Sequence, residues 1–350
     1  MPVFKARQLH AIATRILHAA GACEQDADIV ASELRDANLV GHDSHGVIRL
    51  MQYVNDIESG HINLNTPIEV LKERPAYVLI DGHFNFGQVC ATRALRLGMD
   101  KARAAGTATV MVRDTYHVGR VGSYTQKAAR AGFAAICAVN APCIVGGVAP
   151  YGGIQRRLGT NPVSIAAPWG DSTIVLDMTT SASAEGKVRV ARQKGEQLPE
   201  GWIIDAQGNP STEPEDFYAG GALLPLGGAL GFKGYGMAFM VDILCGIVGG
   251  SGLCRADVQP GSNGMWMTLI DVEQFVDKSA YETLLSTYVA HVKSSRKMEG
   301  VEEILLPGEI ELRRQAQRSE HGVEVPDETW RQISQLARKL GVQEQHEKSS

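Results

Sequence analysis

Leu9, Ile12, Ile16, Leu17 and Ala20 recur at three- and four-residue spacing and the run stops at Gly21, so residues 5–20 are predicted to form an amphipathic helix. A second helix is expected from Asp26 to Leu39 and a third from Val47 to Glu58. Ile48, Met51 and Val54 form the apolar face of the third, and Asp43 or Ser44 is placed to cap its start. From Glu69 the texture changes. Short β-branched runs, EVLKE, AYVLI, TATVMV, AAICAV, VSIAAP and TIVLDM, alternate with Gly, Pro and Asn turns and read as strands. Between them, Gly87–Ala105 and Gly122–Gly132 have helical spacing, which makes the middle of the chain mixed α/β. GWIIDAQGNPST has the form of a hairpin turning near Gln207-Gly208-Asn209. An apolar helix at Met237–Val248 and a strand at Met265–Val272 follow, then helices at Tyr281–Lys293, Glu311–Glu320 and Pro326–Leu340, and a polar tail over 344–350. Helices at both ends imply that residues 1–66 and 278–350 pack into one helical subdomain around an inserted α/β domain, 67–277.

With 350 residues, 44% hydrophobic and 21% charged, and a formal net charge of -5, the composition is that of a soluble globular protein with ample core. Lys and Arg are spread along the chain without a basic stripe, so no nucleic-acid partner is expected and any anion site must be local. The longest apolar stretch, Tyr235–Gly250, carries Asp242 and falls short of the ~20 residues that cross a bilayer. Charged residues punctuate the first twenty positions, which lack a signal peptide's apolar core, so a cytoplasmic location is expected. Six cysteines without C-x-x-C or zinc spacing suggest buried free thiols and no metal site.

Several chemistries lose their footing by absence. No G-x-G-x-x-G follows a strand, and there is no Walker A loop, H-E-x-x-H, G-x-S-x-G elbow or EF-hand pattern.

Two clusters carry candidate chemistry. Gly41-His42-Asp43-Ser44-His45-Gly46 precedes a helix bearing Arg49 and Tyr53 one turn apart. Ser44, the free N–H groups of the helix start and a bidentate Arg49 suit a carboxylate, while a capped helix with a surface arginine fits the spacing equally well. Tyr116-His117-Val118-Gly119-Arg120-Val121-Gly122 joins a strand to a helix. There His117 is a candidate general acid/base or, alternatively, an ordinary loop histidine. Gly159-Thr160-Asn161-Pro162 reads as a turn. Leu176-Asp177-Met178-Thr179-Thr180-Ser181 and Gly231-Phe232-Lys233-Gly234-Tyr235-Gly236 are either phosphate or ribose contacts or ordinary caps.

Taken in order, GHDSHG with Arg49, HVGRVG, GTNP, LDMTTS with Lys187 downstream, GWIIDAQGNPST, GFKGYG and LLPGE at 305–309 resemble the malate/L-lactate dehydrogenase family of the second, non-Rossmann type, over about residues 5–340. The similarity is greatest to its hydroxycarboxylate dehydrogenase branch. The resemblance implies an α/β (α+β) fold in which a mixed, largely antiparallel sheet binds NAD or NADP without a Rossmann unit, a homodimer or higher homo-oligomer, and no metal. It implies hydride transfer between NAD(P) and a small 2-hydroxy or 2-keto acid, with His117 as the catalytic acid/base and His45 or Thr160 as a second donor. Ser44, His45, Arg49 and Tyr53 would line the substrate and nicotinamide pocket. Gly119, Arg120, Val121, Val175, Leu176, Asp177, Met178, Thr179, Phe232, Lys233, Gly308, Glu309, Ile310 and Glu311 match the family's dinucleotide contacts, as does His45. Arg113-Asp114-Thr115-Tyr116 stands where many relatives have an Asn-Ser pair, and Thr179 where Ala is common. The rival readings are an NAD(P)H-dependent reductase of cyclic imines such as a piperideine or pyrroline carboxylate, and a catalytically silent binding protein that has kept the fold.

Overall fold

The computed structural model describes residues 1–142, 146–254 and 262–343. In chain order the elements are β1 (Val3–Phe4), α1 (Ala6–Ala19), α2 (Glu24–Leu39), two single 3-10 turns at Asp43–His45 and Val47–Arg49, and α3 (Leu50–Glu58). Then come β2 (Glu69–Arg74), β3 (Tyr77–Asp81), α4 (Gly87–Ala105), β4 (Thr107–Thr115), α5 (Gly122–Arg130), β5 (Phe133–Asn140), β6 (Val163–Trp169) and β7 (Ser172–Met178). The chain continues through α6 (Glu185–Lys194), β8 (Ile203–Ile204), β9 (Pro210–Ser211), α7 (Pro214–Tyr218), β10 (Ala222–Leu223) and α8 (Phe232–Val241). It closes with β11 (Asn263–Asp271), α9 (Lys278–Lys293), α10 (Glu309–His321), β12 (Val323–Glu324) and α11 (Asp327–Lys339).

The main sheet has seven strands in the order β2-β3-β4-β11-β5-β6-β7. Only β3 and β4, joined through α4, run parallel; the other neighbouring pairs are antiparallel, as expected for a sheet without a Rossmann unit. Alternation along the strands sends Val110, Val112, Cys137, Val139, Met265 and Met267 into one core with Ala91, Leu95 and Tyr124 of α4 and α5. Ala138 and Trp266, one position out of phase, meet Val241 and Cys245 on the opposite face. A separate core joins the two ends of the chain: Leu9, Ile16, Leu34 and Tyr53 pack with Val323, Ile333 and Leu336, and β1 pairs with β12. This core also takes in Phe86, Val89 and Tyr116, which fixes the helical layer against α4 and the loop after β4.

Several expectations are corrected. Neither Asp43 nor Ser44 caps the third helix. The chain turns twice through 3-10 geometry before α3, the Asp43 carboxylate goes to Asn38 and Arg318, and the Ser44 hydroxyl to His45. The apolar helix starts at Phe232 and widens into a π-helix over Asp242–Val248, where the buried Asp242 and Cys245 face β5 and β11. Cys90, Cys137 and Cys245 are buried free thiols, but Cys23 is exposed at the start of α2 and Cys254 is partly exposed; Cys143 and the 344–350 tail lie outside the described residues. Helix α6 escaped prediction because its charged sequence EGKVRVARQK buries only Val188 fully among the described residues, with Ala191 packed against the same core, and shows no extended apolar periodicity. Among the described residues, no helix is long and apolar enough to cross a membrane, and no group of three or more His, Cys, Asp or Glu is placed to hold a metal.

Candidate active site

The loop between β4 and α5 carries His117 and is pinned at three points. Tyr116 N–H donates to Asn85 O at 3.0 Å, Val118 N–H donates to Asn263 Oδ1 at 3.0 Å, and the Tyr124 hydroxyl donates to Val118 O. Asn263 reaches the loop because β11 has a bulge between Asn263 and Met265. Gly87 permits the close approach of α4, since a Cβ there would lie 2.1 Å from Tyr116 O and 2.4 Å from the His117 carbonyl carbon.

Opposite lies the turn from His42 to Gly46. Buried Asn38, at the end of α2, organises it: its Oδ1 accepts Val47 N–H at 2.9 Å and its Nδ2 donates to Asp43 at 2.7 Å. His45 stacks on His117 with ring centroids 5.6 Å apart and planes at 18°. The Ser44 hydroxyl is 3.0 Å from His45 Nδ1, Arg49 Nε donates to Ser44 O at 2.7 Å, and Arg49 Nη1 donates to Gln52 Oε1 at 2.6 Å. Gln52 Nε2 then donates to the Tyr116 hydroxyl at 3.0 Å, and that hydroxyl donates to Asp56. Arg49 is therefore neither a free surface cation nor fully committed, because Nη2 has no hydrogen bond among the described residues.

Tyr53 is fully buried beneath His117, which it touches with its hydroxyl 2.7 Å from Nδ1, so it reaches the pocket through that ring. Burial is the main cause that holds both histidines neutral, with Arg49 adding to it. His45 falls from 6.5 to about 3, His42 and Arg120 also contributing, and His117 falls well below its usual value, His45 contributing. Burial, above all, raises the Tyr53 phenol to about 12. A neutral imidazole with one nitrogen held by Tyr53 and the other without a hydrogen bond among the described residues can accept a proton at that second nitrogen at neutral pH when the nitrogen facing Tyr53 is the one that carries the hydrogen.

A second cluster lies beside the first. Arg120 Nε pairs with Asp177 Oδ2 at 3.0 Å, and both side chains are shielded from solvent. Gly122 makes this pairing sterically accessible, because a Cβ there would lie 2.2 Å from Asp177 Oδ2. Val175 N–H donates to Pro307 O at 3.1 Å, which ties β7 to the Gly308–Glu311 segment, and His42 Nε2 lies 3.6 Å from Glu311. Burial opposes the charge of Glu309, yet Leu306 N–H and Lys293 hold its carboxyl below the usual range. The N–H groups of buried Gly119, Arg120 and Val121 find no acceptor among the described residues. Three such donors at the start of α5 suit a diphosphate, so the chain's own groups fit the nucleotide implied by its motifs.

Thus His45, His117, Ser44, Arg49 and Tyr53 come together, and so do Gly119–Val121, Val175–Thr179 and Gly308–Glu311. No hydrogen bond, ion pair or ring contact among the described residues joins Thr160 or the Phe232–Lys233 pair to the residues of either group. The Thr160 carbonyl accepts from Thr180 N–H at 3.1 Å, and Phe232 is exposed against Tyr151. Lys187 lies over the Trp202 ring at 5.8 Å. Sequence reasoning missed Asn38, Gln52, Gln88 and Asn263. These amides carry no motif, and only the proximity of Asn38 to GHDSHG offered a signal.

The sequence profile of the malate/L-lactate dehydrogenase family matches residues 4–334. The malate dehydrogenase of Pyrococcus horikoshii is 40% identical over 344 residues, covering 96% of this chain and 95% of the relative. A solved structure of malate dehydrogenase from Pyrococcus horikoshii OT3 superposes with a TM-score of 0.89 at 36% identity, covering 98% of this chain and 96% of that one. Hydroxycarboxylate dehydrogenase B of Escherichia coli (strain K12) is 36% identical over 353 residues, 98% of this chain and 95% of the relative. The structure of a delta1-piperideine-2-carboxylate reductase from Pseudomonas syringae superposes with a TM-score of 0.84 at 29% identity, covering 96% and 100%. The chain belongs to the malate/L-lactate dehydrogenase family.

Proposed function

We propose that this member of the malate/L-lactate dehydrogenase family transfers a hydride between NAD or NADP and a small 2-hydroxycarboxylic acid, with His117 moving the accompanying proton. The observation that carries the reading is the pairing of a neutral, Tyr53-anchored His117 with Arg49, one edge of whose guanidinium is unengaged among the described residues. Removing hydride from a carbinol carbon requires its O–H proton to leave in the same event, so a base must stand at that oxygen. His117 Nε2 takes that proton in oxidation and returns it in reduction. Arg49 Nη2 and the Ser44–His45 turn hold the carboxylate, which fixes the reacting carbon relative to His117. When bound, the nicotinamide supplies hydride acceptance and donation. Gly119, Arg120 and Val121 offer N–H groups to its diphosphate, and Val175–Thr179 and Gly308–Glu311, which lie against that loop or against each other, are assigned to the remainder; the Phe232–Lys233 pair is assigned to it on the family resemblance alone.

A second copy of the chain belongs to the same proposal. Phe232, Met237, Phe239, Met240, Ile247 and Val248 are exposed along α8 and its π-helical extension, a face that a homodimer would cover. A cytoplasmic location is also part of it. Reduction of a cyclic imino acid is the rival reading, favoured only by the more weakly similar reductase structure. A panel of 2-keto acids and Δ1-piperideine-2-carboxylate, run with NADH and NADPH, tests the reading. Turnover confined to the imine overturns it, and failure of both nucleotides to bind in calorimetry points to a silent binding protein.

A further inference from the structure

Gln88 lies in the first turn of α4, is completely buried, and has no place in the substrate or nucleotide contacts described above. Its Nε2 donates to the Tyr53 hydroxyl at 2.7 Å, and that hydroxyl is 2.7 Å from His117 Nδ1. The other end of the amide is unsatisfied among the described residues, where Gln88 Oε1 is buried and has no hydrogen-bond partner. The amide lies against Gly119, whose position for a Cβ is 3.4 Å from Nε2.

The two ends of an amide differ chemically but hardly in shape, so a half-turn of the group exchanges them at little steric cost. The consequence for His117 is large. With Nε2 facing Tyr53, the phenol oxygen already accepts a proton, and its own O–H is directed to His117 Nδ1. The neutral imidazole then carries hydrogen on Nε2 and cannot accept one there. With Oε1 facing Tyr53, the phenol donates to Oε1 and accepts Nδ1–H, and Nε2 keeps its lone pair.

We propose that Gln88 is a positioning residue that acts through Tyr53 to decide which nitrogen of His117 holds the proton, with Oε1 turned to Tyr53 in the active enzyme. The proposal rests on the hydride-transfer reading for its catalytic consequence, though not for the tautomer itself. In the oxidation step the substrate O–H bond breaks as Nε2–H forms, the hydride leaves the same carbon for the nicotinamide, and the imidazolium keeps Nδ1–H on Tyr53. The reverse step returns the Nε2 proton to the keto oxygen. In both directions Tyr53 accepts from Nδ1 and donates to Gln88, so no proton has to leave the buried phenol. The turned amide gives Oε1 a donor and in exchange brings the Nε2 hydrogens to the position where Oε1 has no partner among the described residues, so the two settings differ in the tautomer they impose on His117 and not in a gain of hydrogen bonding by the amide.

The test reads the proton directly. Nitrogen-15 spectra of histidine-labelled full-length protein at pH 7.5, without substrate, are expected to show His117 protonated at Nδ1 and pyridine-like at Nε2. Proton on Nε2 in the wild type overturns the proposal whatever the enzyme turns over. Gln88→Met is expected to shift the tautomer toward Nε2–H and to lower kcat about 10- to 100-fold, within the range that a positioned acid/base supplies, with nucleotide Kd unchanged. Gln88→Glu keeps the shape and an acceptor oxygen, so it should restore the Nδ1–H signal and most of kcat. If the two variants lose kcat equally while the tautomer stays as in wild type, Gln88 is only a packing residue and the proposal falls. If the Nδ1 tautomer is present but no 2-hydroxy or 2-keto acid is turned over, the functional reading fails while the role of Gln88 in setting the tautomer stands.

Discussion

Around His117 each candidate side chain is held by another side chain, whereas around Gly119–Gly122 the candidate donors are backbone N–H groups cleared by missing Cβ atoms. Tyr53, Gln88, Gln52 and Asn38 are amides and phenols in buried or half-buried hydrogen-bond chains, and they aim two histidines and an arginine. At the other end, one shielded ion pair, Arg120–Asp177, braces a loop in which the N–H groups of Gly119, Arg120 and Val121 find no acceptor among the described residues. The first arrangement sets protonation and direction and suits a reacting carbon. The second sets shape and positive potential, which suits a phosphate chain that need only be held.

The contrast predicts that the two ends fail differently. His117→Ala or His117→Asn should lower turnover by about 10²–10⁴-fold with nucleotide Kd little changed. Near-normal turnover in either variant would move suspicion to His45 and dissolve the distinction. Arg49→Met should raise KM for the carboxylic acid and lower kcat, costing on the order of 10- to 100-fold in kcat/KM, and Arg49→Lys should cost less. Steady-state kinetics in which Arg49→Met matches wild type would return Arg49 to the helix surface.

Gly122→Ala should act in the opposite sense. A Cβ 2.2 Å from Asp177 Oδ2 must displace the Arg120–Asp177 pair. Nucleotide affinity should fall about tenfold, in keeping with the ~1–3 kcal/mol of overpacking, while substrate KM at saturating nucleotide changes little. Calorimetry showing wild-type affinity would mean that the loop does not hold the diphosphate.

The smallest effect is a slope in stability. Folded His45 stays neutral to about pH 3, whereas in the unfolded chain it takes up a proton near 6.5. Between those values the unfolded state binds more protons, so this contribution is complete above about pH 6.5 and is lost as the pH falls, at most about 1.4 kcal/mol per unit. Melting temperatures of wild type and His45→Gln should therefore converge or cross on acidification from pH 7 to 4.5; parallel curves would show that His45 titrates normally.

Much of this was legible in the sequence because it is local. The periodicity of Leu9, Ile12 and Ile16 and the β-branched runs from Glu69 to Met178 located nearly all the helices and strands of the two main cores. The motifs around Ser44, His117 and Asp177 picked out the residues that converge. Polar residues that support them from elsewhere were silent, since Gln88 or Asn263 in a helix or strand reads like any other amide.

What the chain determined by itself is which residues could do chemistry and which segments would be helix or strand, because spacing along the backbone is enough for both. Only the tertiary structure decided what each group is bound to. His117 meets Tyr53 across 64 residues, Tyr53 meets Gln88 across 35, and Arg120 meets Asp177 across 57. A histidine's protonation depends on burial and on the partner at its second nitrogen, and both arise only when distant segments close around it.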